Sequence, residues 1–156
     1  MSGRKFAVTL PMTHPFSSRH INFHESFAGL LAIDLFAWGV TVHWTDNTTM
    51  QFAWKSFSAK PVLAAVLDCV GGLVVERNLR VFPLRASTKV IPSDALSRED
   101  GVDWEKRRTA WPTTVGEDEV PRRAIPRVDT FVTPRVAYWT QRILAWEHAY
   151  GICFSF

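Results

Sequence analysis

Apolar and polar positions change period several times along the chain, and each change predicts an element. Residues 5–10, KFAVTL, are a short apolar run stopped by Pro11, which predicts a strand. Residues 11–20 are rich in Pro, Ser and His and predict a loop. From Asn22 the spacing turns helical. Phe23, Phe27, Leu30, Leu31, Leu35 and Trp38 share one broad face, and Gly39 ends the run. The β-branched and aromatic stretch GVTVHWTD, residues 39–46, predicts a buried strand, followed by a polar turn at 47–49. Pro61 opens a second helix whose apolar face runs from Val62 to Val74, with Gly71-Gly72 expected to weaken or bend its end. Residues 78–84, NLRVFPL, predict a strand in which Pro83 marks an edge. A short helix is predicted to start near Ser93 or Asp94. Residues 112–128 hold three prolines and mixed charge and predict a linker, and 135–148 predict a last, aromatic-rich helix.

The order strand, helix, strand, helix, strand, helix predicts an α/β fold, with sites at the carboxyl ends of its strands. At 156 residues, 47% hydrophobic and 13% aromatic, the chain is long and apolar enough for one cored domain and is not a disordered polymer. No apolar run approaches the roughly 20 residues that cross a bilayer, and the first residues lack a secretory signal's apolar core. Cys69 and Cys153 lie far apart and form neither a metal spacing nor a disulfide framework. As buried free thiols they predict a reducing, intracellular compartment, cytoplasmic or nuclear.

The formal net charge is +3, but its distribution says more. Residues 47–92 carry Lys55, Lys60, Arg77, Arg80, Arg85 and Lys89 against only Asp68 and Glu76, and residues 1–24 contain no acid. Such a surface suits a phosphate backbone, though it is also compatible with an ordinary solvated face.

Three carboxylates fall where elements begin or end. Asp46 closes the 39–46 strand, Glu25 sits one turn into the first helix, and Asp94 opens a later helix. Each has a structural explanation when taken singly. Asp46-Asn47 is good turn chemistry. Asn22 and Glu25 have the spacing of a capping box. Asp94 suits the positive end of a helix. Asp34 lies nine positions after Glu25, about 180° around the helix, so those two cannot share a site.

In order, INFHES opening a helix, VHWTDN closing a strand and SDALSR opening a helix resemble the ribonuclease H domain of retroelement reverse transcriptases. The likeness is to the DIRS-like, tyrosine-recombinase class, and it covers about residues 5–99. It implies a ribonuclease H-like mixed sheet flanked by helices, with Glu25, Asp46 and Asp94 as metal-holding catalytic acids. The implied cofactor is Mg²⁺ or Mn²⁺, and the implied substrate is the RNA of an RNA–DNA hybrid. Lys55, Lys60, Asn47, Arg85 and Lys89 are then the candidate nucleic-acid contacts. Residues 1–99 become a partial ribonuclease H-like domain and 100–156 a C-terminal extension or linker with a final helix. Asp103-Trp104 and the stretch 128–131 loosely resemble the segment downstream of the domain in those elements.

The departures from that pattern are specific. The family's first acid, on its first strand, has no counterpart, and KFAVTL corresponds to the third strand, so the first two strands are missing from this chain. No histidine lies between His43 and His148, and Val90 stands where the family has an asparagine. The expectation is a truncated piece of a polyprotein with weakened metal binding and little or no activity alone, and an upstream reverse transcriptase domain is a candidate partner. The alternative is a non-enzymatic nucleic-acid-binding or interaction module. Either way the 40–46 strand has a vacant neighbour. KFAVTL is expected to move into that slot, or the edge to pair with another chain.

Overall fold

A computed structural model describes residues 6–98, 101–110 and 128–152 of the chain. Among them are six helices and two strands: α1 (Ile21–Phe36), β1 (Val40–Thr45), α2 (Thr48–Ser56), α3 (Pro61–Glu76), β2 (Arg80–Arg85), α4 (Pro92–Ser97), α5 (Gly101–Ala110) and α6 (Val128–Ala149). β1 and β2 form a two-stranded parallel sheet, with Val40 opposite Arg80 and Thr45 opposite Arg85. The architecture is therefore mixed α/β with a small sheet. Of the expected linker at 112–128, residues 112–127 lie outside the described residues, as does Cys153, while Val128 opens α6; Cys69 is a free, half-buried thiol. No single helix among the described residues is long and apolar enough to cross a membrane.

The core is mainly helical. Phe16, Phe23, Leu30 and Leu31 of α1 and its approach meet Val66, Val70 and Leu73 of α3 and Val132, Trp139 and Ile143 of α6. α1 buries residues on most of its circumference because it has partners on more than one side. At Gly29 a side chain would run into Met50 and Trp54 of α2, so glycine is what lets the two helices approach. α3 runs unbroken through Gly71-Gly72 to Glu76, contrary to the expected weakening. Gly71 leaves room for the Phe57 ring, which a Cβ there would meet at 2.8 Å.

Two buried ionic contacts tie α6 to this core. Arg19 donates to both Glu147 carboxylate oxygens at 2.7 Å, and its guanidinium lies over the Phe16 and Phe23 rings. Near the other end of α1, Asp34 accepts from Arg77 at 2.6 Å, from Arg135 at 2.5 Å and from the Trp139 indole at 2.9 Å. The final helix, expected over 135–148, is thus longer than predicted and part of the same core.

Several expectations need correction. Residues 6–10 form no strand; they run as irregular chain, with Phe6 against Phe36 at 5.7 Å between ring centroids. Their composition suits a strand, but a strand needs a neighbour, and β1 does not pair with them. β1 itself is only half-buried, and Val40 is 68% exposed, because just one of its edges is paired. α1 ends at Phe36, which leaves Trp38 half-exposed beyond it. The second strand begins and ends slightly later than expected, and its Pro83 does lie in an edge strand. The polar stretch expected to be only a turn opens α2, and α5 has no counterpart among the expected elements.

Asp34 yields a direct test. Burial alone would raise its pKa, but the hydrogen bonds from Arg135, Trp139 and Arg77 outweigh burial and hold the carboxyl below its ordinary range. The stabilisation is therefore present above the unfolded value and lost as pH falls through the folded one. Asp34→Asn should cost about 2–3 kcal/mol at neutral pH, less than a fully buried pair because both arginines are partly exposed. Urea melts should show that loss shrinking as the pH is lowered through the acid range.

Candidate functional site

Glu25, Asp46 and Asp94, from α1, the end of β1 and α4, all line one cavity of about 770 Å³. Residues 6–10 and the 43–46 end of β1 line it, and Phe27, Ala28, Leu31 and Ala32 of α1 contribute apolar lining. The cavity lies at the carboxyl end of a parallel strand, the place where α/β folds put ligands.

The capping explanation for Glu25 does not hold. His20 caps α1, its ring accepting from the Asn22 backbone N–H at 3.1 Å, so Glu25 stands too far into the helix to belong to a capping box. Its carboxylate instead accepts from the Asn47 side-chain amide, which also donates to the Asn22 side-chain oxygen at 2.8 Å. Asn47 is the hinge of the arrangement. Its side-chain oxygen caps α2 by accepting from the Met50 N–H at 2.9 Å, while its amide nitrogen faces α1. Expected to touch nucleic acid, Asn47 uses both ends of its side chain within the fold.

Asp46 is not the capping residue of the turn; Asn47 is. The Asp46 carboxylate accepts from the Thr88 hydroxyl at 2.9 Å, in the loop after β2. Neither Glu25 nor Asp46 has an ion-pair partner among the described residues.

Asp94 differs. It lies in the first turn of α4, as its helix-start reading required, and is held by two arginines, Arg98 at 2.6 Å and Arg107 at 3.4 Å. Arg107, missed in the sequence, also reaches Asp103 at 2.9 Å and the backbone oxygens of Thr88 at 2.6 Å and Ile91 at 3.2 Å. One guanidinium from α5 thus ties down α4 and the loop that holds Asp46. Its pairing with Asp103 has the ordinary i,i+4 spacing, but its reach to Thr88, nineteen residues away, has no local mark in the sequence.

A divalent ion does not fit this arrangement as it stands. Mg²⁺ wants near-octahedral oxygen ligands. Among the described residues no three His, Cys, Asp or Glu side chains converge closely enough to hold a metal. The three acids share a cavity without sharing a ligand shell, and the charge of Asp94 is already matched by arginine.

His43 lies on β1 with its ring stacked on Trp54, 4.8 Å between centroids. Burial pushes its pKa down to about 4. Lys55, Lys60, Arg85 and Lys89 are all exposed, Lys55 on α2, Lys60 at the start of α3, and Arg85 and Lys89 at and after the end of β2. Comparison with protein-family models, curated proteins and solved structures gives no match.

Asn47 and His43 each give a measurable outcome. Asn47→Ala removes the cap of α2 and the link to Glu25, and should lower stability by about 1–2 kcal/mol in thermal or urea unfolding. The folded His43 ring takes up a proton less readily than the unfolded one, so stability should fall as pH drops from about 6.5 toward 4. In His43→Phe that slope should flatten.

Proposed function

We propose that this chain is a ribonuclease H-like piece of a retroelement reverse transcriptase polyprotein, which binds RNA–DNA hybrid or related nucleic acid and does not cleave it alone. The observation that carries the reading is the shared cavity: acids from three separate elements, in the order of the motifs, line one space beside the end of β1. Chance placement of three bland carboxylates does not require that. The exposed cations Lys55, Lys60, Arg85 and Lys89 support a surface that follows a phosphate backbone.

The same geometry supports inactivity of the chain alone. Phosphodiester hydrolysis of this class needs two metal ions held by converging carboxylates. Here Asp94 is occupied by arginines, and Glu25 by an amide. This arrangement also favours the second reading, a binding module that keeps the fold without the chemistry.

A hybrid of fixed sequence, titrated at several salt concentrations, tests both halves. Binding should weaken steeply with salt, and Lys55→Ala or Lys60→Ala should each reduce the logarithmic salt slope by about one. With Mg²⁺ or Mn²⁺ present, no cleavage should appear. Hybrid cleavage abolished by Asp46→Asn would overturn the inactivity, and salt-independent or absent binding would overturn the nucleic-acid reading.

A further inference from the structure

α6 turns one side to the core and the other to solvent. From Thr133 to Tyr150 no exposed residue is a carboxylate. Glu147, the one acid of this stretch, is buried against Arg19. A surface helix ordinarily mixes charges of both signs on its wet face. Here Arg135, Tyr138, Arg142, Trp146 and Tyr150 follow one another at steps of three or four residues, which sets them on one stripe. The stripe runs roughly 22 Å along the helix.

Its cations and rings already meet. The Arg135 guanidinium lies 4.5 Å from the centre of the Tyr138 ring, and that of Arg142 lies 5.8 Å from it. Arg135 is also held by Asp34. Arg142 is exposed and makes no hydrogen bond or ion pair among the described residues. Asp68 of α3 and Arg142 act in opposite senses on the Cys69 thiol, yet they do not pair with each other. Tyr150 stacks on Trp146 at 4.4 Å between centroids and 28° between planes, and it is 69% exposed. One face of its ring is therefore covered and the other is open.

Exposed cations without carboxylates select an anion. Aromatic rings between them select an anion that carries flat groups at a short repeat. A single-stranded nucleic acid has both, phosphates for the guanidiniums and bases for the ring faces. An acidic peptide brings charge without bases to stack, and a duplex keeps its base faces inside its own stack. We propose that the outer stripe of α6 binds single-stranded nucleic acid, with a base stacked on Tyr150 and phosphates on Arg142 and Arg135. Tyr138, between the two arginines, orients their guanidiniums. The stripe belongs to a different element from Lys55 on α2 and from Arg85 and Lys89 at and after the end of β2.

A fluorescent single-stranded DNA of about ten nucleotides, followed by anisotropy with the full chain, tests this. Binding should weaken with salt, and Arg142→Ala should lower the logarithmic slope by about 0.7. Tyr150→Ala should weaken binding about tenfold, whereas Tyr150→Phe, which keeps the ring, should bind like the unaltered chain. Both residues are exposed, so the unfolding midpoints of these variants should stay where they are. Lys55→Ala should leave single-strand binding unchanged. The same oligonucleotide annealed to RNA reads the hybrid surface, so failure of either reading shows in its own arm. No single-strand binding at about 100 μM protein, or equal binding by Tyr150→Ala, would overturn the proposal. So would loss of single-strand binding in Lys55→Ala. Full displacement of the oligonucleotide by polyglutamate of equal charge would overturn it too, and would assign the stripe to an acidic polypeptide.

Discussion

Asp34 is buried on α1, and its oxygens collect Arg77 from the end of α3 together with Arg135 and Trp139 from α6. A buried acid is costly unless charge and hydrogen bonds converge on it, and here they converge from two other helices. This one carboxylate therefore fixes where α3 ends and how α6 lies across α1. Arg19 and Glu147 repeat the device at the other end of α1, near the end of α6. With α6 so fixed, the apolar residues Val132, Trp139 and Ile143 close the core that α1 and α3 leave open.

The opposite face of α1 has no such closure. Glu25, Ala28, Ala32 and Phe36 line a cavity there. One helix thus separates a sealed half of the molecule from an open one, and the 180° between Asp34 and Glu25 is the geometry of that division. Acids on the two sides behave differently for this reason. Asp34 is compensated by two arginines, whereas among the described residues Glu25 and Asp46 accept from neutral donors, Asn47 and Thr88. Asp94 falls between, placed in the cavity wall but neutralised from outside it by Arg98 and Arg107.

Legibility in the sequence is a matter of range. α1, α3, β1, β2 and α6 announce themselves by local period, and the three carboxylates by their place at element ends. α2 escapes because nine residues give barely two turns, and Phe52 breaks its apolar face by standing 73% exposed. The cap of α1 escapes because His20 is an unusual capping residue, while Asn22 and Glu25, two to five positions on, mimic a more familiar one. Residues 6–10 mislead for the opposite reason. They have the residues of a strand, but strand formation depends on a partner that local composition cannot supply. Arg19–Glu147 and Asp34–Arg135, more than one hundred residues apart, have no local signature at all.

The open edge is tolerable because it is wet. The outward groups of Val40 and Val42 are beside an exposed strand end, where water replaces the missing ladder at small cost. The apolar lining of the cavity is the less comfortable part, since nothing polar on α1 between Ala28 and Ala32 rewards water for entering. The helical core packs without a second neighbour for β1, and that is what allows the chain to hold this edge open.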